Sequence, residues 1–113
     1  YGFKLAKEMG KLDIGQSVVI KDKMIMAVEA IEGTDRCIQG GCRLAKKDAV
    51  IVKVSKPNQD KRFDIPTIGV NTLKTMKKFK GKVLAVEAGE TIIVNQNELI
   101  NYANKNNIVI MAV

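Results

Sequence analysis

The residues best placed to do chemistry lie between Lys56 and Gly69, in the run KPNQDKRFDIPTIG. It sets Asp60 and Asp64 among Lys56, Lys61 and Arg62, and it holds both prolines of the chain, Pro57 and Pro66. Carboxylates of this kind can hold a divalent cation or handle a proton. The cations can neutralise phosphate oxygens, Arg62 as a planar fork and Lys56 as a point charge. Two other turns offer a similar mix, Glu29-Ala-Ile-Glu32-Gly-Thr34-Asp35 and Glu87-Ala-Gly-Glu90. Asp64 stands out because it sits between Phe63 and Ile65-Pro66, where proline biases Ile65 toward an extended conformation. An acid on an ordered apolar turn is costly without partners. Asp60 occupies the most polar part of the run and reads equally well as a surface charge. Asp35 reads as a site acid or as support for a helix N-terminus. Glu29 and Glu87 read as site acids or as outward residues of half-exposed strands. The chemistry that suits this set is a metal–phosphate site.

The chain has no histidine. That excludes Ser-His-Asp and Cys-His catalysis within it, and any histidine-ligated metal. A metal here would be held by carboxylates and water, which favours Mg²⁺ or Mn²⁺. Cys37 and Cys42 flank Gly40-Gly41 and have no second pair, so they read as reduced, partly buried thiols of a cytoplasmic protein rather than a zinc site. There is no Walker A sequence and no G-x-G-x-x-G. The net charge is +7, with a denser patch at Lys74, Lys77, Lys78, Lys80 and Lys82. Of the five aromatics only Phe79 falls within it, too few for a stacking platform, so the patch reads as a solvated helix face and not as a nucleic-acid platform.

The elements that must position these residues follow from periodicity. Leu5, Met9 and Leu12 mark a helix over about 3–12, ended by Asp13-Ile-Gly15. Ser17 to Ile20 and Met24 to Ala30 read as a hairpin around Lys21-Asp22-Lys23. Thr34 is the expected N-cap of a helix to about Lys46, weakened by the glycine pair. Ala49 to Ser55 is an apolar strand leading into the charged run. Val70, Leu73, Met76 and Phe79 mark a helix closed by Gly81. Lys82 to Ala88 and Thr91 to Val94 are strands. Asn95 with Glu98 resembles a capping box for a helix to about Lys105, and Asn107 to Val113 is the last strand. Ala-Val-Glu-Ala occurs at 27–30 and again at 85–88, a weak internal repeat. Strand–helix–strand units favour parallel pairing, and the hairpin adds antiparallel pairs. The expected fold is α/β, one domain with a mixed, largely parallel sheet flanked by about four helices. With a parallel centre, the three charged turns would share one sheet edge, gathering Glu29, Glu32, Asp35, Asp60, Asp64 and Glu87 near Lys56 and Arg62. The helix N-termini there could supply backbone donors to an anion.

The order Leu12-Asp13-Ile14-Gly15, Glu32-Gly33-Thr34-Asp35, Lys56-Pro57, Arg62-Phe63-Asp64-Ile65-Pro66-Thr67-Ile68-Gly69 and Val86-Glu87-Ala88-Gly89 resembles the carboxy-terminal domain of the LpxI family. These are the UDP-2,3-diacylglucosamine pyrophosphatases of lipid A biosynthesis. The resemblance implies a Mg²⁺-dependent hydrolase that releases UMP and 2,3-diacylglucosamine 1-phosphate (lipid X). It implies Asp64 as the catalytic carboxylate, with Asp60 beside it. It makes Asp35 and Glu29 candidate metal ligands together with Asp64. It places Thr34, Lys56, Gln59, Arg62 and Thr67 where substrate contacts are expected. It also implies an amino-terminal domain as partner. Tyr1 in first place, with Met9 the first methionine, adds the expectation of a piece of a longer protein. The expected location is the cytoplasm, with peripheral contact at the inner face of the inner membrane and homo-oligomer formation as further partner expectations. The alternative is a non-catalytic phosphate or nucleotide-sugar binding domain.

Overall fold

The computed structural model describes residues 2–12, 14–55 and 67–113. Strands β1 (Ser17–Lys21) and β2 (Met24–Val28) form the expected hairpin. Its two turn residues, Asp22 and Lys23, both have positive φ, 52° and 62°, the left-handed conformation a two-residue hairpin loop requires. Strands β3 (Ala49–Lys53), β5 (Gly81–Val86) and β7 (Val109–Ala112) complete a five-stranded sheet in the order β2-β1-β3-β5-β7. β1 runs antiparallel to both neighbours, while β3–β5 and β5–β7 are parallel. Four of the five strands therefore point the same way. The repeat at 27–30 and 85–88 falls at the ends of two of these like-directed strands, but one is an edge strand and the other is internal.

Two residues of the charged stretch make a strand the periodicity did not reveal. β4 (Thr67–Ile68) pairs in parallel with β6 (Ile92–Ile93) in a separate two-stranded sheet. A two-residue strand has no alternation to read, and its existence depends wholly on its partner.

Helix α1 (Gly2–Lys11) covers one face of the main sheet. There Ala6 and Met9 pack with Val18, Ile20, Val52, Val54 and Ala85. Helices α2 (Thr34–Ala45), α3 (Val70–Phe79) and α4 (Gln96–Lys105) cover the other. That larger core joins Ile38 and Cys42 of α2, Leu73 and Met76 of α3 and Leu99 of α4 to Val19, Ile51 and Leu84 of the sheet. Burying each such aliphatic side chain is worth about 1.5–3 kcal/mol.

The glycine pair does not break α2, which continues to Ala45. Gly41 is where the helix meets the sheet: a Cβ there would stand 2.5 Å from the Cβ of Val19. The close approach offsets the helix-propensity cost of glycine. The same continuity buries both thiols. Burial pushes Cys37 up to about 12, aided by Glu29, Glu32 and Cys42, and pushes Cys42 up to about 11. Both stay protonated at neutral pH. Iodoacetamide at pH 8 is expected to label neither thiol in the native domain and both in urea; rapid native labelling would contradict this placement.

Candidate functional site

Because β2, β3 and β5 run in one direction, their carboxy-terminal ends lie at one edge of the sheet. The expected common edge is present for the Glu29–Asp35 and Glu87–Glu90 turns, while residues 56–66 lie outside the described residues. The helices run back the other way, so α2, α3 and α4 all begin at that edge. Their N-caps are Gly33, Gly69 and Asn95, and none makes a side-chain cap hydrogen bond. Thr34 is thus the first residue inside α2 and not its cap, and Asn95, at φ 51°, does not form the expected capping box. Uncapped first turns leave backbone N–H donors for an anion.

The first group of site residues surrounds Glu29. Its N–H donates to the Ser17 carbonyl at 2.9 Å. The Thr34 hydroxyl donates to Glu29 Oε1 at 2.9 Å, and Ser17 Oγ lies 3.5 Å from the same hydroxyl. Gly15 presses its backbone against the Glu29 carbonyl, leaving no space for a Cβ. Glu29 is therefore fixed and partly buried, and not an outward strand residue. Asp35 stands exposed in the first turn of α2. In the turn between them, the Ala30 N–H donates to a Glu32 carboxylate oxygen.

The second group centres on Glu87, just past β5. Its Oε1 accepts from the Ser55 N–H at 2.9 Å and the Ser55 hydroxyl at 3.0 Å. Lys7 of α1 pairs with Oε2 at 3.1 Å and also donates to the Ser55 carbonyl at 3.1 Å. Burial pushes the Glu87 acid up, but the Ser55 and Lys7 hydrogen bonds and the Lys7 charge outweigh it and hold the acid below the usual glutamate value. The Glu87 contribution to stability is therefore present above pH 4.5, the ordinary value, and is lost as pH falls through the lower folded value. Glu87→Gln is expected to cost about 1–2 kcal/mol at pH 7, with the gap from wild type narrowing as pH falls below 4.5. Urea midpoints measured from pH 7 to 3 check this; a gap that is constant with pH would contradict it. This clamp was invisible in the sequence, since Lys7 and Glu87 are 80 residues apart and no local pattern links them.

The two groups share an edge but not a coordination shell. β2 and β5 are separated by β1 and β3, so their ends lie about 14 Å apart. The expected gathering of all the acids at one point is corrected accordingly: Glu87 is bound to Lys7 and Ser55, apart from Glu29, Thr34 and Asp35. Among the described residues, no three His, Cys, Asp or Glu side chains are grouped closely enough to hold a metal ion. Lys56, Gln59, Asp60, Arg62 and Asp64 lie outside the described residues. Thr67 is exposed on β4, and its carbonyl accepts from Lys53 Nζ at 3.0 Å.

Between the starts of α3 and α4 lies a cavity of about 370 Å³, lined by Thr67, Gly69, Asn71, Thr72, Asn95 and Glu98 among others. Its size suits a small polar ligand group. Most of the lysine patch lies toward the end of α3 and the start of β5, away from that edge. Lys77, Lys80 and Lys82 line a separate cavity with Lys47 and Asp48, and Lys78 lies 5.6 Å from the Phe79 ring centre. No helix among the described residues is long and apolar enough to cross a membrane.

A sequence model of the family described as LpxI C-terminal domain matches residues 1–111. The chain is 36% identical over 110 residues to the UDP-2,3-diacylglucosamine pyrophosphatase LpxI of Caulobacter vibrioides, a match covering 88% of this chain and 39% of that protein. The chain thus spans about two fifths of the length of that curated relative. With the motif order and the α/β fold in agreement, the chain belongs to the LpxI family, as its C-terminal domain.

Proposed function

We propose that the full-length protein carrying this domain hydrolyses the pyrophosphate bond of UDP-2,3-diacylglucosamine, giving UMP and lipid X in lipid A biosynthesis. We assign the domain, 1–113, as the carboxy-terminal catalytic-type part of a two-domain enzyme. The observation that carries the reading is that two charged turns, Glu29–Asp35 and Glu87–Glu90, and three helix N-termini without side-chain caps share one sheet edge. That edge is suited to a diphosphate: backbone donors meet non-bridging oxygens, while Lys56 and Arg62 supply full charges. In this proposal Gln59, Thr34 and Thr67 contact substrate, and Asp64 handles the proton of the attacking water with Asp60 beside it.

The available donors are carboxylates and hydroxyls, which fit a hard cation that needs only one or two carboxylates and keeps several waters. Glu29 and Asp35, with Asp64, are the proposed ligands. Mg²⁺ bound there would neutralise charge on the diphosphate. The Thr34 hydroxyl orients the Glu29 carboxylate, and Gly15 packs against its backbone.

The second reading, a nucleotide-sugar binding domain without catalysis, is favoured by the lack of a three-carboxylate group among the described residues. Phosphorus NMR on the full-length protein with substrate and Mg²⁺ or Mn²⁺ separates the two. Hydrolysis replaces the diphosphate signals with two monophosphate signals. Saturable binding with an unchanged diphosphate under either metal would establish the second reading instead.

A further inference from the structure

We propose that the α1 side of β5 and β7 is the docking surface for the region that precedes this domain in the full-length protein. β5 and β7 are parallel neighbours, and such strands are ordinarily covered on both faces. One face is covered here, where Leu84, Val86 and Ile110 meet the core formed by α2, α3 and α4. The register pairs Val83 with Val109 and Ala85 with Met111, so Val109, Met111 and, by alternation, Val113 belong to the opposite face. On that face α1 lies over β1 and β3. Val109, Met111 and Val113 are left 49%, 46% and 42% exposed. Alternation puts three large apolar side chains where a solvent-facing strand would carry polar ones.

The occupant follows from the family and from the path of the chain. The family is that of a C-terminal domain, and 39% of the Caulobacter relative is matched, so most of that protein lies outside the matched region. α1 lies on the open face, with Gly2 against Ile20 and Val52, so chain leading into α1 arrives on this side. A second copy is disfavoured by a net charge of +7 on each domain. A lipid surface is disfavoured because β7 itself, Val-Ile-Met-Ala, carries no cation. The strip also runs up to the candidate site: the Ala88 N–H donates to the Val113 carbonyl at 2.9 Å. A region docked there reaches the Glu87–Glu90 turn and can add residues to that edge. The inference rests on the fold and the family, and holds or fails independently of hydrolysis.

Single-cysteine labelling of the full-length protein tests it. Cys37 and Cys42 are buried and give little background. Met111→Cys is compared with Asn104→Cys on the exposed side of α4, with maleimide labelling read by peptide mass. The expected result is labelling at position 111 at least tenfold slower than at 104, at concentrations where light scattering shows a monomer and without lipid. Val109→Cys reads the same strip if the first variant folds poorly. Equal rates at 104 and at the strip overturn the proposal. So does protection that appears only on dimerisation or only with vesicles of anionic phospholipid.

Discussion

Asp64→Ala in the full-length protein is expected to lower UMP release by roughly 10²–10⁴-fold, the range for loss of a positioned acid–base group, while UDP-sugar binding changes little. The split matters because an interaction made only in the transition state affects kcat and kcat/KM together and leaves ground-state binding alone. Asp64 stands three residues before Thr67, the start of β4, and the run holding it begins just after Ser55. On either side of the run, Ser55 is fixed by Glu87 and the Thr67 carbonyl accepts from Lys53. Asp64→Asn preserves shape and removes the charge, and is expected to behave like the alanine variant. Direct assay of UMP with saturating substrate, paired with a binding isotherm, checks the prediction. Turnover near the wild-type rate would remove Asp64 from the mechanism.

The second large effect is expected at Gly15. A side chain there collides with the Glu29 backbone carbonyl, and backbone cannot rotate away as a flexible side chain can. Gly15→Val is expected to destabilise the domain by about 1–3 kcal/mol, the usual cost of forced overpacking. That corresponds to a melting-temperature loss of roughly 4–8 °C for each kcal/mol in a domain of about this size. Its functional consequence is separate. Moving Glu29 disturbs the Thr34 hydroxyl bond and the start of α2 together, so kcat of the full-length protein falls even at temperatures where the variant is folded. Wild-type stability and turnover in Gly15→Val would show that the Gly15–Glu29 contact is slack.

Much of this architecture was legible because the informative elements are long and periodic. The spacing of Val70, Leu73, Met76 and Phe79 identifies α3, and the apolar run at Ala49 identifies β3. The shared edge also follows from sequence, since strand–helix–strand order dictates that β3 and β5 point the same way. The details of the site were less accessible for specific reasons. Thr34 looks like a cap because threonine caps helices, but Glu29 competes for its hydroxyl and Gly33 takes the cap position. Asn95 and Glu98 have capping-box spacing, but the left-handed backbone of Asn95 is incompatible with that role. β4 and β6 exist through pairing across 25 residues of chain, as Thr67 meets Ile92. The Lys7–Ser55–Glu87 clamp likewise depends on three elements meeting in space.

The proposed site requires Asp64 to join Glu29 and Asp35 at the shared edge. The most direct measurement is an experimental structure of the full-length protein with Mn²⁺ and a non-hydrolysable UDP-sugar diphosphate, locating the ion by its anomalous signal. The expected result is the ion within direct coordination distance, about 2–2.3 Å, of an Asp64 oxygen, with Glu29 or Asp35 in the same shell and the diphosphate facing the start of α2 or α3. An ion bound elsewhere, or Asp64 facing away from the Glu29–Asp35 turn, would contradict it.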